Sequence, residues 1–520
     1  MSTLLTRALL ALMALLLVTS SLHKRFSYDE VDNLSYGLRF LTQGPGAPMN
    51  GQRMPVLALN ALPCVSAGWS VDLLHRSEWR RMIVRAPTMV FALLLAWLAG
   101  RWAGELYGEP ARVLALGACV FNPNVLAHGK QVTSDVATAF FTLAAVYGLW
   151  RLCQRPSARA LALAVAATTG ALASKFTSVL LFPILLALAA IHLWRRPKAE
   201  RPALVRAAGV AAGFVAGTLL LLNAVYLFDG SFRPAREYGW KSRALAPLRD
   251  VSVPVPLPKV FALGIDFSYF LQENPRELRG NNYVLGGLNR DGRWYAFPLM
   301  VLLKTPLALF ALLAVAARTR APDQYDLGPT AAYLFLPSAA ILAFFSLFVD
   351  AQLGIRYVLP ALPFLFVYAG RAARPRAARW HRPVLVALAA WHIVSVLSYH
   401  PHYMSYFNEL IGRRIDAWRY LADSNLDWED RHWFIRRFQA RHPEMRLVVE
   451  PERPVAGYVV VGANQLVGIF GPARYRWLRE NFEPVAHIGY SHLVFHVTPA
   501  RLREIVDAIE AAPPRPEPPP

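Results

Sequence analysis

Apolar and polar positions follow one another along this chain in long blocks. Runs rich in Ala, Leu, Val and Phe are separated by short basic connections. A helix that crosses a bilayer needs about 20 mostly apolar residues, because each advances the chain by ~1.5 Å. About 11 runs meet or approach that length: 4–22, 83–100, 113–127, 132–150, 160–173, 176–194, 207–228, 294–317, 328–349, 357–370 and 383–399. The pattern predicts an α-helical polytopic membrane protein with about 11 transmembrane helices. Asn122, Pro123 and Asn124 interrupt the third run, and the runs at 160–173 and 357–370 are short.

The connections differ in charge by parity. Those at 101–112, 151–159, 195–206, 318–327 and 371–382 are basic, with Arg101, Arg155, Lys198, Arg201, Arg320, Arg376 and Arg379 among their cations. The short connections of opposite parity carry only Lys130, Lys175 and Arg356. The positive-inside rule then puts the N-terminus in the cytoplasm and the C-terminus outside. A cleaved signal peptide is the alternative for the first run, but its length and the want of a small-x-small site before His23 favour a retained helix.

Three segments are too polar to span and fall on the outer side: 23–82, 229–293 and 400–520. The first two are loops of a membrane unit at 1–400. Residues 401–512 predict a small C-terminal α/β extracytoplasmic domain, with strands at 445–450, 458–461 and 493–497 and helices at 417–440 and 499–511. A proline-rich, disordered tail at 513–520 follows.

Composition agrees with the pattern. Of 520 residues 55% are hydrophobic and 17% charged, and the mean hydropathy is +0.30. Soluble domains carry about 25% charged residues. Three cysteines exclude a disulfide scaffold. The net charge of +21 suggests nucleic acid until its distribution is considered. The cations lie between apolar runs rather than on one patch, so the lipid bilayer is the expected partner, with no nucleic acid.

Few residues carry candidate chemistry. Asp29 and Glu30 come just after the first run, where a carboxylate pair can act as a general base; a solvated loop is the plainer reading. Asp135 opens an apolar helix, either as a site carboxylate or as a helix-dipole partner. Lys175 and Arg356 sit at outer turns, where phosphate binding competes with snorkelling. His400 and His402 lack further ligands at metal-binding spacing, so no metal site is expected. No nucleotide-cradling loop or nucleophile elbow occurs.

In this order the motifs resemble the integral-membrane GT-C glycosyltransferases, in particular bacterial members related to protein O-mannosyltransferases and lipid A aminoarabinose transferases. The resemblance rests on Asp29-Glu30, Thr133-Ser134-Asp135, Ser174-Lys175-Phe176-Thr177, Asn282-Tyr283-Val284-Leu285-Gly286 and Leu303-Lys304-Thr305-Pro306. Gly354-Ile355-Arg356-Tyr357, Tyr406-Phe407-Asn408 and Asp423-Ser424-Asn425-Leu426-Asp427-Trp428 complete it. The chain departs from the family at Glu429-Asp430-Arg431, where Gly-Gln-Asp is expected, and at Glu409–Arg413, where a glycine pair is expected.

The resemblance implies a GT-C catalytic unit at 1–400 in a bacterial inner membrane, with its active site outside. It implies a polyprenyl-phosphate sugar donor and an acceptor hydroxyl on an envelope lipid, glycan or protein. Asp29, Glu30 and Asp135 become the catalytic carboxylates. Lys175, Arg356, Tyr357, Tyr283 and His128 become substrate-binding positions. The motifs call for no cofactor and leave a divalent metal open. The rival reading from the residues alone is a secondary transporter or lipid flippase, since buried charges near helix ends suit it too. Odd parity and the lack of repeat symmetry count against it.

Overall fold

The computed structural model describes residues 2–46, 54–197, 202, 204–274, 281–319, 327–374, 381–429 and 431–511. The expected basic positions Lys198, Arg201, Arg320, Arg376 and Arg379 and the 513–520 tail lie outside the described residues. Among the described residues, six helices are long and apolar enough to cross a membrane: Thr3–Ser21, Glu78–Tyr107, Asp135–Gln154, Phe176–Arg195, Val205–Val225 and Thr330–Phe348. A seventh span follows if Ala296–Lys304 and Leu307–Arg318, bent by 96°, count as one. The runs expected at 160–173, 357–370 and 383–399 are shorter apolar helices, at Ala158–Leu172, Leu359–Ala373 and His381–Leu397. The protein is a multi-pass membrane protein.

The run at 113–127 is not one helix. It divides into Glu109–Val120 and Pro123–His128. The Asn122 side chain accepts from the backbone N–H groups of Asn124 and Val125, both at 3.1 Å, and so starts a new helix. Pro123 suits its first turn, because the missing N–H would have no partner there anyway.

The bend at 304–307 has a related cause. Pro306 cannot donate to the preceding turn. The carbonyls left free are taken up by Asn124, which binds Lys304 O at 2.9 Å, and by Asn408, which binds Thr305 O at 2.8 Å. Lys304, fully buried, donates to the carbonyls of Met404 and Asn425. The Leu303–Pro306 and Tyr406–Asn408 motifs thus fasten the 404–425 segment onto the helical bundle.

Four helices carry the argument that follows. We label them α1 (Ser2–Ser21), α2 (Tyr28–Gln43), α3 (Glu78–Tyr107) and α4 (Asp135–Gln154). Ser27 caps α2 in a reciprocal capping box: its hydroxyl accepts from Glu30 N, and Glu30 Oε2 accepts from Ser27 N at 2.9 Å. Helix α4 and the following helix approach closely at Gly148, where a Cβ would lie 2.9 Å from the Ala164 backbone nitrogen.

Beyond 400 the chain is irregular until α5 (His432–Arg441), so the helix expected at 417–440 is largely absent. Short 3-10 helices stand there instead, at Arg414–Arg419 and Asp423–Asn425, and the φ of +58° at Asp423 does not fit an α-helix. A short hairpin, β1 (Asn282–Val284) with β2 (Gly287–Asn289), precedes a four-stranded sheet. The sheet comprises β3 (Leu447–Val449), β4 (Gly457–Gly462), β5 (Pro484–Ile488) and β6 (His492–Val497) in the order β3-β4-β6-β5. Only the β3–β4 pair is parallel. One sheet face packs on Phe434, Ile435 and Phe438 of α5. The other face, with Val459, Val461, Leu493 and Phe495, joins the main apolar core of the bundle.

Candidate active site

Two ion pairs meet around Tyr357. Asp29 stands in the first turn of α2, and its Oδ2 lies 3.2 Å from Arg356 Nη1. Asp135 is the first residue of α4, and its Oδ1 accepts from Lys175 Nζ at 2.8 Å. Both cations lie near the Tyr357 ring, Lys175 at 4.9 Å and Arg356 at 5.7 Å from its centre. The Arg356 guanidinium also lies 4.2 Å from the centre of Trp428. These aromatic faces hold the cations without neutralising them.

The pairs are not sealed. The Asp29 side chain is 37% exposed, Lys175 20% and Arg356 17%, whereas Asp135 is buried. Arg356 Nε is buried with no hydrogen-bond partner among the described residues. A guanidinium with an orphaned donor beside an opening is prepared for an anion, because an unmade buried hydrogen bond costs about 1–3 kcal/mol.

Gly354 makes this arrangement possible. Its φ of +139° suits only glycine, and a Cβ there would strike the Ser424 hydroxyl. That contact places the 423–428 segment over Arg356. Asp423, which lies in the 423–428 motif and to which the resemblance assigns no role, is a further carboxylate beside Arg356 and Asp29. Its N–H donates to Asn464 Oδ1 at 2.7 Å. Burial lifts its carboxyl to about 6; Asp29 and Asp427 push the same way, while Arg356 opposes. Trp428, the platform for Arg356, comes from the same motif.

The remaining sequence candidates fall in different places. His128 is buried, its ring 5.9 Å from that of Trp428. Burial pushes its pKa down to about 4, with Arg356, Lys304 and Lys175 adding to the effect and Asp135 opposing it. Glu30 faces away from this group: its oxygens bind Arg85 Nε at 2.8 Å and Nη2 at 3.0 Å, and the N–H groups of Val132 and Ser27. Tyr283 lies on β1 opposite Leu288, where Arg479 and Arg419 are the nearby charges. His400 and His402 engage Tyr403 and Arg431. Among the described residues no group of three or more His, Cys, Asp or Glu could hold a metal.

Residues 68–220 match the family model described as dolichyl-phosphate-mannose-protein mannosyltransferase. The match agrees with the resemblance to GT-C glycosyltransferases carried by the motifs. Among solved structures, the chain is similar to ArnT from Cupriavidus metallidurans bound to undecaprenyl phosphate. The two are 14% identical with a TM-score of 0.47, over 94% of this chain and 97% of that one. It is also similar to the oligosaccharyltransferase AglB from Archaeoglobus fulgidus in complex with an inhibitory peptide and a dolichol-phosphate. There the identity is 14% and the TM-score 0.49, over 79% of this chain and 57% of that one. No curated protein matches the chain in sequence.

Proposed function

We propose that this protein is a membrane glycosyltransferase that moves a sugar from a polyprenyl-phosphate donor to an acceptor hydroxyl. The observation that carries the reading is the pair of half-open ion pairs at Tyr357, with the orphaned donor of Arg356 between them. The family match over 68–220 supports the donor class, since that family's description names a dolichyl-phosphate sugar.

The chemistry follows from the groups present. The acceptor hydroxyl gives its proton to Asp29, and its oxygen bonds to the anomeric carbon. The bond from that carbon to the donor phosphate oxygen breaks, and the electron pair leaves with the phosphate. As Asp29 becomes neutral, Arg356 loses its counter-ion and turns its charge to the leaving phosphate. Lys175, still paired with Asp135, adds a second positive charge near Tyr357, so the new charge meets preorganised cations. Direct displacement inverts the anomeric centre. Asp135 holds Lys175, and Glu30 is a positioning residue: through Arg85 and its capping box it fixes the first turn of α2 that carries Asp29.

The positive-inside pattern of the sequence supports a site on the outer face, where a lipid-linked donor would replace nucleotide sugars. The acceptor is then an envelope lipid, glycan or protein. The test is whether the purified protein in detergent consumes a polyprenyl-phosphate sugar when an envelope extract is added. Donor that stays intact with every extract fraction, while wild-type protein is folded, would reject the reading.

A further inference from the structure

A groove of about 650 Å³ opens where α1 ends, walled by Leu22 and His23 on one side and by Trp433, Arg437 and Arg441 of α5 on the other. It has the size of a small-molecule pocket, typically about 300–1,000 Å³. It lies apart from the ion pairs at Tyr357 and shares no lining residue with them.

Its position relative to the apolar layer follows from α1. Leu15 is 57% and Val18 40% exposed, so this helix presents lipid-facing surface up to the last turn before the groove. Trp433 stacks on His23 with ring centres 4.1 Å apart, which seats α5 at the mouth of that surface. Tryptophan with arginine at the end of a span is the composition of a membrane–water interface.

The charge in the groove is not neutralised from within. Arg437 lies 4.9 Å from the centre of Trp433, and neither it nor Arg441 pairs with a carboxylate among the described residues. The nearby Glu444 faces His442 at 3.3 Å. His402 is held neutral by burial and by Arg431, so the two arginines supply the lasting charge. Arginine suits phosphate because its planar fork can bind two oxygens.

We propose that this groove docks the headgroup of an anionic phospholipid, its phosphate on Arg437 and Arg441 and its acyl chains along the outer face of α1. The site needs only α1 in the bilayer, so it stands or falls separately from the transferase reading.

The test titrates full-length protein in detergent with short-chain phosphatidylglycerol, with phosphatidylcholine of the same chains, and with inorganic phosphate alone, reading heat of binding. Each basic residue near a surface favours anionic lipid about fivefold, so with two arginines phosphatidylglycerol should bind about thirtyfold tighter than phosphatidylcholine. The Arg437→Gln/Arg441→Gln variant should lose that preference. The Arg437→Lys/Arg441→Lys variant should keep most of it, and Arg503→Gln, on the exposed C-terminal helix, all of it. Three results would overturn the proposal: equal affinity for the two lipids, a preference that survives the double Gln variant, or inorganic phosphate binding as tightly as the anionic lipid. Both arginines are exposed, and an unchanged melting temperature in each variant shows that folding is not the cause.

Discussion

Two clusters of charge lie at the same end of α1, and they are built on opposite terms. In one, Asp29, Arg356, Asp135 and Lys175 form pairs that are partly open, with donors to spare. In the other, Glu429 receives Lys24 at 2.6 Å, Lys130 at 2.7 Å and Arg431 at 3.1 Å, with every side chain at most 3% exposed. Backbone carbonyls complete that second cluster: Lys24 donates to Pro401 O at 2.7 Å and Lys130 to Ser20 O at 3.0 Å. Burial alone would push the Glu429 carboxyl up, but Lys130, Lys24 and Arg431 outweigh it and hold the group well below the ordinary carboxylate range. Composition does not separate the two clusters; access and spare donors do. The sealed one ties the 400–431 segment to α1, and the open one is free to meet a substrate.

The comparison breaks hardest at Glu429. Glu429→Gln leaves three buried cations without their counter-ion, and removing one partner of a buried network costs about 3–5 kcal/mol. The expected result is a large drop in melting temperature in detergent, or no folded protein. Because this carboxyl is held below its usual range, its stabilisation is present above that range and fades as pH falls through the folded value. Wild type should therefore lose stability on acidification more steeply than any Glu429 variant that still folds.

At the open cluster the effects should fall on kinetics. Lys175→Gln removes a charged donor to phosphate, a loss of about 1.5–3 kcal/mol, so donor KM should rise roughly ten- to a hundredfold while the protein stays folded. Lys175→Arg should keep the charge and recover part of the loss. Steady-state kinetics at varied donor concentration would show it; an unchanged KM would reduce Lys175 to an interfacial anchor.

The smallest effect is expected at Asp423. Its raised value, about 6, means that the folded chain binds this proton more tightly than the unfolded one. Stability from this group therefore falls as pH rises through the window from the ordinary carboxylate value to about 6. Asp423→Asn should flatten that limb and gain stability slightly at neutral pH. Its ionisation also adds negative charge beside Arg356, so the wild-type rate should change across about pH 6. Melting curves and rates across pH 4–8 would test both, and an identical profile in the variant would contradict the placement.

Much of the open cluster was legible in the sequence. Asp29, Asp135, Lys175 and Arg356 each interrupt or border an apolar run, where an ionisable residue stands out. Hydropathy marks about 11 runs, but among the described residues only six or seven helices are long enough to span; the runs at 160–173, 357–370 and 383–399 are shorter helices, and Asn122-Pro123 and Pro306 start new helices inside two others. The sealed cluster was not legible. Glu429 meets Lys24 across 405 positions, and nothing local marks either as a partner. The Glu429–Arg431 stretch stood out only as a departure from the family pattern. Asp423 lies within a sequence motif, but its place beside Arg356 depends on a positive φ and on Asn464, which only the folded chain reveals. Strand β5 has no clear sequence signal, because Pro484–Ile488 is short and only weakly alternating.

The central claim is that Asp29 takes the acceptor's proton, and single-turnover transfer from a bound polyprenyl-phosphate sugar measures it most directly. Asp29→Asn keeps the size of the side chain and an acceptor for Arg356, but it cannot act as a base. The account predicts a rate about 10²–10⁴-fold below wild type at saturating donor, with donor affinity and melting temperature nearly unchanged. Asp32→Asn, one turn further along α2, should transfer at close to the wild-type rate. Transfer by Asp29→Asn at the wild-type rate, with equal amounts of folded protein, would contradict the account.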